Sequence, residues 1–102
     1  MGRKIVWCVF TSLMLFLLSS PVFAAGDANA GKDKAAACTS CHGIDGKGSD
    51  PNPNIAGMNV GKFTTAMKAY KTGERKHAMM EMFAKKLSDQ DIADLAAYYA
   101  GN

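Results

Sequence analysis

The chain has 102 residues, 48% of them hydrophobic, and a formal charge of +3, which allows one domain and leaves no room for a second core. Two of the twelve Lys and Arg, Arg3 and Lys4, fall in the first four residues, and the remaining ten are interleaved with nine Asp and Glu. That pattern excludes nucleic-acid binding through a basic patch, which needs clustered cations, and three cysteines are too few for a disulfide-dense scaffold.

Met1 to Lys4 is positive, Ile5 to Ser20 is almost unbroken apolar sequence, and Pro21 to Ala25 ends in small residues. This pattern reads as a secretory signal peptide, residues 1–24, cleaved between Ala24 and Ala25 and leaving 25–102 as a single domain. An uncleaved anchor is the alternative, but the apolar run falls short of the ~20 residues that span a bilayer, so no stable membrane insertion is expected after cleavage. Cys8 sits too far from the cleavage point for a lipoprotein cysteine. The expected destination is the oxidising periplasm, and with Arg3 and Lys4 gone the formal charge falls to +1, too little for strong long-range steering.

Asp27 can cap a helix over Ala28 to Cys38, a stretch rich in the strong helix formers Ala and Lys. Gly43 to Gly61 then carries five glycines, two prolines and three asparagines, a composition that interrupts regular structure. A loop that long is uncommon in a compact domain unless it wraps something. Phe63, Ala66, Met67 and Tyr70 form one helical stripe within Lys62 to Thr72, stopped by Gly73. Ser88 with Asp91 resembles a capping box, and Ile92, Leu95, Ala96 and Tyr99 repeat the stripe in a last helix ending near Gly101. No segment alternates with period two, so the predicted class is all-α, three main short helices and a long loop. Helices this short bury little apolar surface, and something further must complete the core.

Cys38-Thr39-Ser40-Cys41-His42 is a C-x-x-C-H run, the attachment sequence for c-type haem. Two thiols about one helical turn apart can each form a thioether to one of two vinyl groups on the same haem edge, and the next residue reaches the iron. His42 supplies a neutral imidazole nitrogen from one side. A covalent haem also explains the small core, because the macrocycle offers an apolar surface for the loop to wrap. A thioredoxin-like C-x-x-C pair is the first alternative, but it belongs near a βαβ pattern that is absent here. A zinc site of Cys38, Cys41, His42 and His77 is the second; its adjacent Cys41 and His42 do not match structural zinc spacing.

The opposite face of the iron takes a methionine, a histidine, another group or nothing, and that choice separates electron transfer from ligand chemistry. Met67 falls in a core stripe and Met58 in the loop, where it lines the haem pocket. Met79, Met80 and Met82 cluster ahead of the last helix, where the chain can return across the far haem face, and one of them is the expected ligand. His77, beside Arg75 and Lys76, reads as a solvated surface residue, which disfavours bis-His ligation.

Taken together, the mature region resembles the class I c-type cytochromes, in particular small bacterial members of the cytochrome c(553) kind and single domains of the diheme cytochrome c(4) kind. The resemblance rests on Gly26-Asp27 to Gly31, C-T-S-C-H-G at 38 to 43, Pro53 to Gly57, Tyr70 to Arg75, and Leu87-Ser88 through Tyr99. It implies the cytochrome c fold around one covalent haem c. Counting back from Leu87-Ser88, it implies Met80 as the axial methionine, with Met79 as runner-up. The segment Lys76-His77-Ala78 is one residue longer than in some relatives, which loosens that count. The resemblance also implies that the Pro53 carbonyl accepts a hydrogen bond from His42, and that Gly31 lies where the first and last helices cross, against Tyr98 or Tyr99.

The implied function is one-electron transfer by a periplasmic monohaem carrier with His42 and Met80 as axial ligands, not an enzyme. No acid, base or nucleophile constellation is required, and none is found. Redox partners would touch transiently at a small apolar patch at the haem edge; Lys62, Lys68, Lys71, Lys85 and Lys86 read as a solvated face, Arg75 is a candidate for a haem propionate, and a monomer is favoured. The competing readings are a haem protein with an open or labile sixth site, for peroxidase or gas-ligand chemistry, and an electron-input module of a larger complex. Only one C-x-x-C-H occurs in these 102 residues.

Overall fold

In the computed structural model, residues 25–102 are described; the expected signal peptide and Cys8 lie outside them. Five helices follow in order, α1 (Ala28–Lys34), α2 (Ala36–His42), α3 (Val60–Thr72), α4 (Ala78–Lys85) and α5 (Asp89–Ala100). Among the described residues there is no strand, only an isolated bridge between Ser49 and Asn52. The class is all-α, as expected from the absence of period-two alternation.

Local chemistry sets the helix ends. Asp27 accepts from the Asn29 and Ala30 N–H groups at the start of α1, and Asn59 accepts from Gly61 and Lys62 at the start of α3, each satisfying donors that a first turn leaves orphaned. Ser88 and Asp91 form a reciprocal capping box at 3.0 and 2.9 Å. Gly73 ends α3 with φ 80°, a conformation that favours glycine.

Two features differ from the three-helix expectation. The first helix is two pieces: Ala35 is buried against the core with ψ −9° rather than the helical value near −42°, so the chain turns there and continues as α2 through both cysteines to His42. The Met79–Met82 segment is itself helical. Met80, Phe83 and Ala84 share one face of α4, and Ala84 is fully buried, a period-3.6 pattern present in the sequence.

Helix α5 is the spine, with α1 and α3 packed on it and α4 packed on α3. The core joins Ile92, Leu95, Ala96 and Tyr99 of α5 to Phe63 and Met67 of α3, Ala35 and Ala84. Phe63 and Tyr99 stack with ring centroids 5.8 Å apart. At the α1–α5 crossing, a Cβ on Gly31 would overlap the Asp94 carbonyl oxygen and stand 2.8 Å from Tyr98 Cβ; of the two aromatic candidates, Tyr98 faces it. The crossing is fastened by Asp94, which accepts from the Asp27 N–H (2.8 Å) and Gln90 Nε2 (2.8 Å) and pairs with Lys34 at 2.5 Å. The loop between α2 and α3 folds back on itself through the Gly46 carbonyl, which accepts from Ile55 and Ala56, and is anchored to α5 where the Gly57 N–H donates to Tyr99 O.

Candidate functional site

The helices and loop enclose a cavity of about 580 Å³, within the range of small-molecule and cofactor sites. Helix α2 places Cys38, Cys41 and His42 along one wall. Cys38 and Cys41, at i and i+3, stand one turn apart on the same face of that helix, and neither is in a disulfide. Burial pushes the Cys38 thiol above its ordinary pKa. His42 is buried, and its Nδ1 lies 2.9 Å from the Pro53 carbonyl oxygen. A carbonyl only accepts, so Nδ1 carries the proton and Nε2 keeps its lone pair free for a metal.

The remaining walls are mostly apolar. Ile55 and Met58 come from the loop, Phe63, Ala66, Met67 and Tyr70 from α3, Leu95 from α5, and Met79, Met80 and Phe83 from α4. Of the three clustered methionines, Met80 is half-buried and packs on the core, Met79 lines the cavity but is 50% exposed, and Met82 is exposed outside it. Met58 lines the same cavity, as its place in the loop implied, and Met67 is buried in the core, as its stripe implied, while also reaching the cavity wall. A flat apolar macrocycle with two thiol-reactive groups along one edge and a metal centre fits these walls: thiols side by side, one imidazole nitrogen with a free lone pair, a thioether on another helix, and apolar surface between them.

Two residues play parts that the sequence alone did not assign. His77 is exposed, as its neighbours Arg75 and Lys76 implied, and it is also the N-cap of α4 at the cavity rim, its Nδ1 accepting from the Met80 N–H at 3.3 Å, so that its side chain supports the turn that carries Met80. Lys34 also lines the cavity, and its ammonium reaches Asp91 at 2.8 Å and Asp94 at 2.5 Å, which raises its pKa through Asp91 first and Asp94 second. The Asp27 N–H, then Lys34 and Gln90, hold the Asp94 carboxyl down to about 2. Its acid partners on the last helix lie about sixty residues away, beyond any sequence pattern. Of the lysines read as a solvated face, Lys71 is drawn in to the Leu87 carbonyl. The Arg75 guanidinium lies 5.0 Å over the Tyr70 ring at the cavity wall.

Over residues 25–102, an all-helical domain closed on an apolar cavity, with C-x-x-C-H along one wall, defines a protein built to hold a haem c. The family model for cytochrome c matches residues 28–100, and the chain belongs to the cytochrome c family. It is 49% identical over 80 residues to cytochrome c-554(548) of Halomonas halodenitrificans, covering 74% of this chain and 96% of that one. It is 45% identical over 94 residues to cytochrome c4 of Pseudomonas aeruginosa, covering 90% of this chain and 47% of the relative. The solved structure of reduced recombinant cytochrome c4 from Pseudomonas stutzeri superposes with a TM-score of 0.72 at 35% identity, over 76% of this chain and 46% of that one. The chain thus spans nearly all of the Halomonas protein and about half the length of the cytochromes c4. Its fold is the cytochrome c fold, and family membership implies one covalently bound haem c and electron carriage between redox partners. Among the described residues, no helix is long and apolar enough to cross a membrane.

Proposed function

We propose that the chain is a periplasmic monohaem carrier, exported by residues 1–24 and folded as 25–102, with Cys38 and Cys41 as thioether residues and His42 and Met80 as axial ligands. The observation that carries this reading is the pairing of His42, its Nδ1–H fixed on the Pro53 carbonyl, with a half-buried Met80 on the wall of the same apolar cavity. The group supplies one-electron exchange at iron. The chain's own residues do the rest. Pro53 fixes the tautomer and plane of His42 and raises its basicity, and His77 caps the turn that presents Met80. Phe63, Met67, Leu95 and Phe83 exclude water, which favours the less charged, reduced state. A buried site closed by two ligands on rigid helices rearranges little on electron exchange, which suits a shuttle rather than a catalyst. Partners would dock transiently over a small area, and exposed Met79 and Met82 offer an apolar rim for it.

The test is the optical spectrum in both oxidation states. The oxidised protein should show the weak near-infrared methionine-to-iron charge-transfer band, and the reduced protein should not shift on adding CO. Met80→Ala should lose the band and bind CO, and Met79→Ala should keep the band. A wild-type protein with no band and ready CO binding would instead have an open sixth site and belong to the peroxidase or gas-binding reading.

A further inference from the structure

Helix α4 carries three of the five methionines of residues 25–102 and divides them between two faces. Met80 turns inward with Phe83 and the buried Ala84. Met79 and Met82, three positions apart and so neighbours on the helix surface, turn outward and are 50% and 44% exposed. The other two are covered: Met67 is buried and Met58 packs against the core. Met82 belongs to neither the core nor the cavity wall, and a solvent-facing helix position ordinarily takes a polar residue. An exposed thioether takes an oxygen atom from a peroxide. The S–O bond forms, the peroxide O–O bond breaks, sulfur gives up two electrons, and the remainder of hydrogen peroxide leaves as water. The product is a polar sulfoxide where an apolar side chain stood. Exposed Lys85 and Lys86 lie three and four positions beyond Met82, and their ammonium groups donate the hydrogen bonds that a sulfoxide oxygen accepts.

Given the apolar docking rim of the proposed function, we propose that Met79 and Met82 are a reversible oxidation site for peroxides, and that their conversion to sulfoxides switches docking at that rim off while Met80 stays in place. Each sulfoxide removes apolar surface from a contact that is small to begin with, and losing the burial of one methionine weakens such a contact about tenfold. Met80 is protected by its half-buried position on the cavity wall. The change is reversible because a sulfoxide reductase returns the thioether: two thiols become a disulfide and the oxygen leaves as water.

The experiment treats the oxidised holoprotein with hydrogen peroxide, maps the modified residues by peptide mass, and, after removing the peroxide, measures electron self-exchange between oxidised and reduced copies by NMR line broadening. Met79 and Met82 should each gain one oxygen before Met58, Met67 or Met80 gains any, with the near-infrared band retained. Self-exchange should then slow by about tenfold or more, and a methionine sulfoxide reductase should restore both mass and rate. In a Met79→Leu, Met82→Leu double variant, peroxide should leave the rate where that variant began. Oxidation of Met67 or Met80 in step with the outward pair, or an unchanged rate with both sulfoxides in place, overturns the switch. A Met79→Gln, Met82→Gln double variant separates this site from the reading beneath it. If its unoxidised rate equals that of the wild type, the docking rim is overturned and the switch falls with it. If its rate is lowered but the outward pair is not the first to be oxidised, the rim stands and the oxidation site alone is overturned.

Discussion

Gly31→Ala tests the helix crossing on which the fold turns. The added Cβ would overlap the Asp94 carbonyl oxygen and stand 2.6 Å from the Asp94 carbonyl carbon and 2.8 Å from Tyr98 Cβ, where carbons ordinarily approach to about 3.5–4.0 Å. The obstacle is backbone, which cannot rotate away, so α1 must move off α5 by about 1 Å. Overpacking of this kind costs ~1–3 kcal/mol. The upper end is expected here, because the same displacement stretches the Asp27–Asp94 and Lys34–Asp94 contacts at 2.8 and 2.5 Å. A loss of about 3 kcal/mol is a large share of the ~4–12 kcal/mol expected for a domain of this size, and it corresponds to a melting-point drop of about 12–24 °C. The assay is guanidinium unfolding of the holoprotein followed by helical circular dichroism, with a lower midpoint and an unchanged slope expected. Gly61→Ala is the control: its φ is not positive and the added Cβ meets only one side-chain atom, Asn59 Oδ1 at 3.1 Å, and no backbone, so the same substitution there should change stability by no more than ~1 kcal/mol. A loss below about 1 kcal/mol in Gly31→Ala would refute the close crossing.

Three further outcomes follow from single residues. Tyr99 is buried with its hydroxyl unpartnered, and burial, then the neighbouring Cys38, push that hydroxyl well above the ordinary phenol range; Tyr99→Phe should therefore leave stability unchanged or raise it by up to ~1 kcal/mol in urea unfolding. A clear loss would mean that the hydroxyl is bonded in the holoprotein, with the Cys38 sulfur as the neighbouring acceptor. Asp94, held down to about 2, contributes stability that is fully present above the ordinary carboxylate value near 4 and lost as pH falls toward 2. Wild-type protein should therefore lose stability across that window, and Asp94→Asn should be weaker at neutral pH and lose less on acidification, both read from thermal melts. His77→Ala should cost ~1 kcal/mol through the lost cap on α4 and His77→Asn should restore most of it, measured as melting temperature; equal values for all three proteins would show that the 3.3 Å contact to the Met80 N–H does not support the helix.

The parts of this fold that were legible in the sequence are those governed by local rules. The stripes of α3 and α5, the Asp27 cap, the Ser88–Asp91 box and the Gly73 stop each depend on residues within about four positions of one another, and all are present. C-x-x-C-H is legible for the same reason. Helix α4 escaped notice because its N-cap is His77, outside the usual Ser, Thr, Asp and Asn set, and because a run of methionines reads first as chemistry and only then as a helical face. The turn at Ala35 has no glycine or proline to announce it; a buried alanine with ψ −9° is the product of packing that no local pattern encodes. Lys34 with Asp94, and His42 with Pro53, join residues sixty and eleven positions apart, and the second pair was anticipated only through resemblance to relatives.

These non-local contacts share a location, and that location explains how so small a domain can hold a large cavity. Phe63, Met67 and Leu95 belong both to the buried core and to the cavity wall, so the two are one apolar surface seen from opposite sides. Lys34 stands at the junction, lining the cavity while its ammonium ties α1 to Asp91 and Asp94 on α5. Pro53 does the same for the loop, fixing His42 through its carbonyl. With helices of seven to thirteen residues, too short to persist alone, a covalently held apolar group is the additional core that such a chain needs. The residues that line the cavity are therefore among those that hold the helices together, and a substitution that loosens the α1–α5 crossing should also loosen the cavity wall.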